Sequence, residues 1–253
     1  MPDFRAFWTP TSADPAEITL GAEESHHLVS VNRAEAGATV TVFDGRGAEW
    51  ICTLRPSDRR AARLDVRFAQ KARPLPHLMT LGQALPKGSG MDAIVRKATE
   101  LGAARIIPLE SERTQVHLDE DRSDRKIEKW RTAAIEAAKQ CGNPWLPEIA
   151  PVQGAAAFME SARYDLKLIA SLQPGARPLH EALQAFRAGR PRGTAGPPPA
   201  VAWLIGPEGD FTPAELSQAQ TCGFVPITLG PLVLRCETAA IYALSVLAYE
   251  LSR

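Results

Sequence analysis

Residues 201–240 carry one local pattern twice, and that repetition constrains the fold more than any other stretch. Val201 to Ile205 is an unbroken apolar run, as expected of a strand covered on both faces. It stops at Gly206-Pro207-Glu208-Gly209, a turn signal. Thr212-Pro213-Ala214-Glu215 then reads as a capping box, with Thr212 as N-cap, Pro213 at the first helical position and Glu215 reaching back. A second apolar run, Val225 to Leu229, ends at Gly230-Pro231, and Leu234-Arg235-Cys236-Glu237-Thr238 leads into an Ala-rich helix. Open α/β sheets bind ligands where loops leave the carboxyl ends of strands. One such turn is ordinary; two, holding Glu208, Arg235 and Glu237, point to a binding site.

Upstream of this region the pattern also alternates. Leu78 to Leu81, Arg105 to Leu109 and Asp165 to Leu172 read as strands. Met91, Ile94, Val95, Ala98 and Leu101 recur at helical spacing between Ser89, a candidate cap, and Gly102, a stop. Asp124 to Cys141 reads as a second helix, and about Thr238 to Leu251 as the last, with Ala240, Leu244, Leu247 and Leu251 in one stripe. Strand-helix alternation predicts a mostly parallel sheet with helices on its faces. Gly189 to Pro199, rich in Gly, Pro and Arg, reads as a surface loop.

The first 73 residues differ. Thr39 to Phe43 alternates as a strand does, Asp44-Gly45-Arg46-Gly47 supplies a hairpin turn, and Glu49 to Leu54 and Arg63 to Phe68 follow as strands. Ser25-His26-His27-Leu28 is expected to open a short helix. Adjacent histidines point apart and have no evident third ligand, so no metal site is predicted. Between Arg55 and Arg73 seven basic residues face only Asp58 and Asp65, which suits either a solvated face or contact with an RNA backbone. Arg73-Pro74-Leu75-Pro76 is a stiff joint, which sets the expected domains at 1–73 and 74–253. Cys52, Cys141, Cys222 and Cys236 have no paired spacing and read as reduced thiols of a cytoplasmic protein, and no apolar stretch reaches a membrane span. The net charge of zero argues only weakly against RNA, because local distribution matters more.

Gly88-Ser89-Gly90-Met91-Asp92-Ala93 follows a strand, opens a helix and fits the dinucleotide fingerprint, with Glu110 about twenty residues on. A nicotinamide-dependent oxidoreductase is therefore a rival reading. Pro86-Lys87 counts against it by interrupting the immediate strand-to-glycine turn.

GPEGDFTPAE and LGPLVLRCETA closely resemble the cofactor loops of the SPOUT superfamily of RNA methyltransferases, and within it the RsmE family, which methylates N3 of a uridine in 16S ribosomal RNA. Lys97-Ala98-Thr99-Glu100-Leu101-Gly102, Ser111-Glu112-Arg113-Thr114, Glu136-Ala137-Ala138-Lys139-Gln140 and His26-His27-Leu28 extend the resemblance over nearly the whole chain. It implies an N-terminal PUA-like β-barrel and a C-terminal α/β SPOUT domain with a trefoil knot. It also implies S-adenosyl-L-methionine as cofactor, the small ribosomal subunit as partner and a homodimer. The cofactor loops would use Ser171, Leu172, Gly206, Pro207, Glu208, Gly209, Leu229, Gly230, Leu234, Thr238 and Ala239. Arg235 would orient the uracil or stabilise its anion, and Glu237 or Glu208 would be the base. Arg5, His27, Arg33, Lys97 and Arg113 would face RNA, and the Gly88 region would lie away from the cofactor. The chain departs from the family at Asp210, where glycine is commoner and a left-handed backbone is at issue, and at Ser30 and Asn143. Ribose 2′-O methylation, found in other SPOUT branches, and a non-catalytic RNA-binding protein are the remaining alternatives.

Overall fold

The computed structural model describes residues 4–12, 14–56, 59–189 and 197–252. Two compact units emerge, one of Met1–Pro74 with Ile135–Leu146, the other of Leu75–Ala134 with Pro147–Arg253.

The first unit holds strands β1 (Phe4–Phe7), β2 (Glu17–Thr19), β3 (Thr39–Phe43), β4 (Ala48–Leu54) and β5 (Arg63–Lys71) in the order β1-β3-β4-β5-β2. Alternate residues point inward, so Val40 and Val42, Trp50 and Cys52, and Leu64 share one core with Ala6, Ile18 and Leu28. Trp8 packs edge-on against Trp50, with centroids 5.4 Å apart. The helix α1 spans Ala22–His26 and continues as a π turn, His27–Val31. It begins three residues before the expected Ser25, directly after Gly21. Ser25 is instead a buried link, its Oγ donating to the Leu20 carbonyl and accepting from the Ala62 amide at 2.9 Å. At the hairpin, Gly45 and Gly47 take φ of +74° and +88°. A Cβ on Gly47 would meet the Trp145 ring at 2.2 Å, so this turn needs glycine for space as well as for φ.

The second unit is an eight-stranded sheet whose pairs are all parallel. Its strands are β6 (Leu78–Ala84), β7 (Ala103–Glu110), β8 (Glu148–Ile149), β9 (Gln153–Gly154), β10 (Leu166–Ala170), β11 (Arg177–Pro178), β12 (Ala200–Ile205) and β13 (Val225–Thr228). The order runs β11-β13-β10-β12-β6-β7-β8, with β9 pairing β7. Val201 to Ile205 are all at most 2% exposed, as their unbroken apolar run predicts for a central strand. The helices of the chain's remainder are α2 (Gly90–Glu100), α3 (Glu120–Cys141), α4 (Ala155–Ser161), α5 (Leu179–Ala188), α6 (Pro213–Thr221) and α7 (Cys236–Leu251). The capping box forms as read: the Glu215 amide donates to Thr212 Oγ1 at 3.2 Å, and the Thr212 amide to Glu215 Oε2 at 2.9 Å. The α2 cap is Ser89, but its side chain makes no capping bond.

After β13, the chain returns so that α7 packs on α2, β6 and β12. The stripe Ala240, Leu244, Leu247 therefore covers the protein's own sheet and is buried. Exposure falls on another face, where Tyr242 and Tyr249 are 46% and 59% exposed. Most of the expected Gly189–Pro199 loop lies outside the described residues.

Candidate active site

Parallel pairing in register fixes where the loops emerge. Ile205 at the end of β12 pairs with Gln83 near the end of β6, and Ile169 near the end of β10 sits between Leu204 and Pro226. Four neighbouring strands, β13, β10, β12 and β6, thus deliver their outgoing loops to one edge. There they enclose a cleft of about 680 Å³, within the usual range for small-molecule sites.

Most residues picked from the sequence line it: Ser171, Leu172, Gly206, Pro207, Glu208, Leu229, Gly230, Leu234, Arg235, Glu237 and Ala239. Gly209 and Thr238 do not. Gly209 turns its Cα toward Arg113, whose Cδ would lie 3.3 Å from an added Cβ, and Thr238 is exposed on the first turn of α7.

The expectation that the Gly88 region lies away from these loops is wrong. Lys87, Ser89, Gly90 and Ala93 line the same cleft, because β6 is the direct neighbour of β12. The glycine loop after β6 was visible in the sequence; the register that brings it beside Gly206 was not. Leu232 and Val233, 73% and 77% exposed, also line the cleft, as does Asp210.

The loop after β12 is held from several directions. Glu208 Oε1 accepts the Lys87 amide at 2.9 Å, and Arg113 Nη1 donates to the Gly209 carbonyl at 2.7 Å. The Asp210 amide closes the turn on the Pro207 carbonyl at 3.0 Å. Asp210 takes a left-handed φ of 59° despite its side chain, so the glycine common in the resembled motif is not required for the turn. Glu215 extends the frame, its Oε1 accepting the Glu112 amide at 2.9 Å, so the Ser111–Thr114 loop is tied to α6.

The three charged candidates differ in how occupied they are. Glu208 already accepts a backbone amide. Neither the Arg235 guanidinium nor the Glu237 carboxylate has a hydrogen bond or ion pair among the described residues. Between them lies Cys236, whose thiol is pushed up to about 11, first by burial and then by Glu208 and Glu237. The protonated thiol is therefore favoured at neutral pH. The cleft combines apolar walls (Leu172, Leu232, Val233), three carboxylates (Glu208, Asp210, Glu237) and two cations (Lys87, Arg235). That donor set suits a mixed ligand with a positive centre and an apolar body.

The residues expected to face RNA are placed as follows. Arg5 pairs with Glu49 at 2.8 Å and lies over the Phe43 ring. His27 Nε2 is 3.4 Å from Glu136, and Lys97 pairs with Glu100 at 2.7 Å. Arg113 spends one nitrogen on Gly209. Arg33 is exposed, at a φ of 56°. In the basic run, Arg55 is engaged by Glu17 at 2.7 Å and by Asp65, and Asp58 lies outside the described residues.

The chain matches the profile of an RNA methyltransferase domain over residues 73–248 and that of an RNA methyltransferase PUA domain over residues 20–66. The protein named ribosomal RNA small subunit methyltransferase E from Bacillus subtilis is 30% identical over 235 residues, covering 92% of this chain and 90% of that one. Its namesake from Synechocystis is 33% identical over 243 residues, covering 96% and 76%. Among solved structures, a putative methyltransferase from Legionella pneumophila in complex with S-adenosylmethionine superposes with a TM-score of 0.86 at 32% identity, over 98% of both chains. The ribosomal RNA small subunit methyltransferase E of Neisseria gonorrhoeae, also bound to S-adenosylmethionine, gives 0.81 at 27% identity, over 97% of both. With these matches the nicotinamide reading of Gly88-Ser89-Gly90 falls away.

Proposed function

We propose that this chain, which belongs to the ribosomal RNA small subunit methyltransferase E family, methylates N3 of a uridine in 16S ribosomal RNA with S-adenosylmethionine as donor. The observation that carries the chemistry is that Arg235 and Glu237 both line the cleft while neither side chain is engaged elsewhere among the described residues.

S-adenosylmethionine supplies a methyl group activated on a sulfonium. The chain's part is to bind, orient and manage one proton. The loops Ser171–Gln173, Gly206–Gly209 and Leu229–Leu234 hold the donor, and Gly230 leaves open space where a Cβ would project. Uridine N3 bears a proton and is a poor nucleophile until it leaves. Arg235 can donate to one of the carbonyl oxygens flanking N3, which leaves N3 open to the methyl and stabilises the anion left by deprotonation. Glu237 accepts the proton in this scheme; Glu208 is less suited, because Lys87 already occupies one of its oxygens.

We assign RNA capture to residues 1–73, with Arg5, His27 and Arg33, and catalysis to residues 74–253, with Lys97 and Arg113 as further RNA-facing candidates. A homodimer is supported by the exposed face of α7. Tyr242 and Val246 there line a second cleft of about 480 Å³ that shares Leu229 and Gly230 with the first. The apolar stripe read from the sequence does not supply this support, since it is buried in the chain's own core. A cytoplasmic location fits the substrate; among the described residues no helix is long and apolar enough to cross a membrane.

The test is transfer of labelled methyl from S-adenosylmethionine to small-subunit particles. Transfer by the parent protein, strongly reduced in Arg235→Ala with donor affinity retained, is the expected result. No transfer by a folded protein that binds the donor would leave only an RNA-binding role.

A further inference from the structure

We propose that Asp210 is a positioning residue of the donor site, its carboxylate cross-linking the loop after β10 to the loop after β12. The inference rests on the reading of the cleft as an S-adenosylmethionine site and extends it to a residue that the motif resemblance does not supply.

Only Arg33 and Asp210 among the described non-glycine residues have a positive φ. A left-handed backbone disfavours a side chain, and aspartate tolerates it better than most because its carboxylate can bond nearby amides. Asp210 does so on both sides. Oδ1 accepts the Phe211 amide at 2.8 Å, within its own loop. Oδ2 accepts the Leu172 amide at 3.1 Å, thirty-eight residues away in sequence and across the strand boundary. Both loops line the cleft, as does Asp210 itself.

A neutral bond runs parallel to this link. Gln173 Nε2 donates to the Phe211 carbonyl at 3.2 Å, and the Gln173 amide donates to Ser171 Oγ at 3.1 Å. The loop after β10 is thus closed on itself and fastened twice to the loop after β12, with the charge-assisted bond at Asp210 the stronger of the two fastenings. Leu172 is 61% exposed and has little burial to fix it, so the Asp210 bond decides where its backbone stands. Because the Leu172 amide is taken, Leu172 serves the ligand through its carbonyl and side chain.

Asp210→Gly separates backbone from link. Glycine adopts the same φ without strain and removes only the carboxylate. Asp210→Asn keeps one acceptor oxygen and so keeps one of the two bonds. Both full-length variants and the parent are titrated with S-adenosylmethionine by calorimetry, melted without ligand, and assayed for kcat and KM of the donor. We expect Asp210→Gly to weaken donor binding about tenfold, the equivalent of losing one charge-assisted bond. Its KM should rise in step, with kcat within about twofold of the parent. The fall in thermal midpoint should be smaller than for a buried carboxylate, because the Leu172 bond is exposed and glycine relieves the strain of the left-handed φ. Asp210→Asn should fall between. Unchanged affinity in either folded variant, or a lower midpoint with unchanged affinity, overturns the positioning role. If Asp210→Gly fails to fold, the Asn variant alone decides by the same criterion. A parent protein that does not bind S-adenosylmethionine would instead overturn the reading of the cleft.

Discussion

Glu215 offers the sharpest quantitative test of how the site is framed. Its side chain makes two ties: it completes the α6 capping box through the Thr212 amide and holds the Glu112 amide of the loop after β7, both at 2.9 Å. The residue is 7% exposed, so water does not readily replace it when it is removed. Each bond is from a backbone amide to an ionised carboxylate, a class worth about 1.5 kcal/mol or more. Glu215→Ala should therefore cost about 3 kcal/mol, and Glu215→Gln, which keeps one acceptor oxygen, about half of that. For a unit of this size, 3 kcal/mol corresponds to a fall of roughly 6–12 °C in thermal midpoint. Differential scanning calorimetry of ligand-free protein measures it, with Glu181→Ala, an exposed position on α5, as control. A loss under about 2 °C for Glu215→Ala would mean that the frame is held by packing, not by this carboxylate.

Gly230→Val should weaken donor binding more than tenfold while the protein still folds. The φ of +120° is strained for any side chain, and the new methyls would enter open cleft space; unchanged affinity in calorimetry would move the donor elsewhere. His77 should make the fold acid-sensitive. It is 2% exposed, neither ring nitrogen has a hydrogen-bond partner among the described residues, and burial holds its pKa below the ordinary 6.5. Below pH 6.5 the unfolded chain gains a proton that the folded one does not, so His77's contribution is intact above 6.5 and is lost as pH falls through the folded value. His77→Phe should flatten the stability profile between about pH 5 and 7, and identical profiles for parent and variant would refute this.

What the sequence made legible was local. The capping box at Thr212–Glu215 and the buried strand Val201–Ile205 follow from short-range rules, and both formed as read. Glycine, proline and charge at two strand ends marked Gly206, Pro207, Glu208, Gly230, Arg235 and Glu237, whereas Ser171, Leu172, Leu229, Leu234 and Ala239 came from the resemblance to the methyltransferase loops. What escaped was set by register and long-range packing. Nothing near Gly88 in sequence says that β6 pairs with β12, and that pairing alone brings Lys87 to Glu208. The stripe on α7 was read correctly as apolar, but helical periodicity does not say what it packs against; only the fold shows that Ala240, Leu244 and Leu247 cover the chain's own sheet. Arg113 reads as a surface cation until the Gly209 carbonyl is placed beside it. Asp210 looked like a departure from a glycine motif, and only the position of the Leu172 amide shows what its carboxylate holds.

The central claim is that the cleft lined by Arg235 and Glu237 transfers methyl to a base nitrogen and not to a sugar. Mass spectrometry of nucleosides from small-subunit RNA, treated with this protein and isotopically labelled S-adenosylmethionine, tests it most directly. The predicted product is uridine carrying the label on N3 of the base, absent when Arg235→Ala replaces the parent. Label on a ribose hydroxyl with an unmodified base would contradict the account.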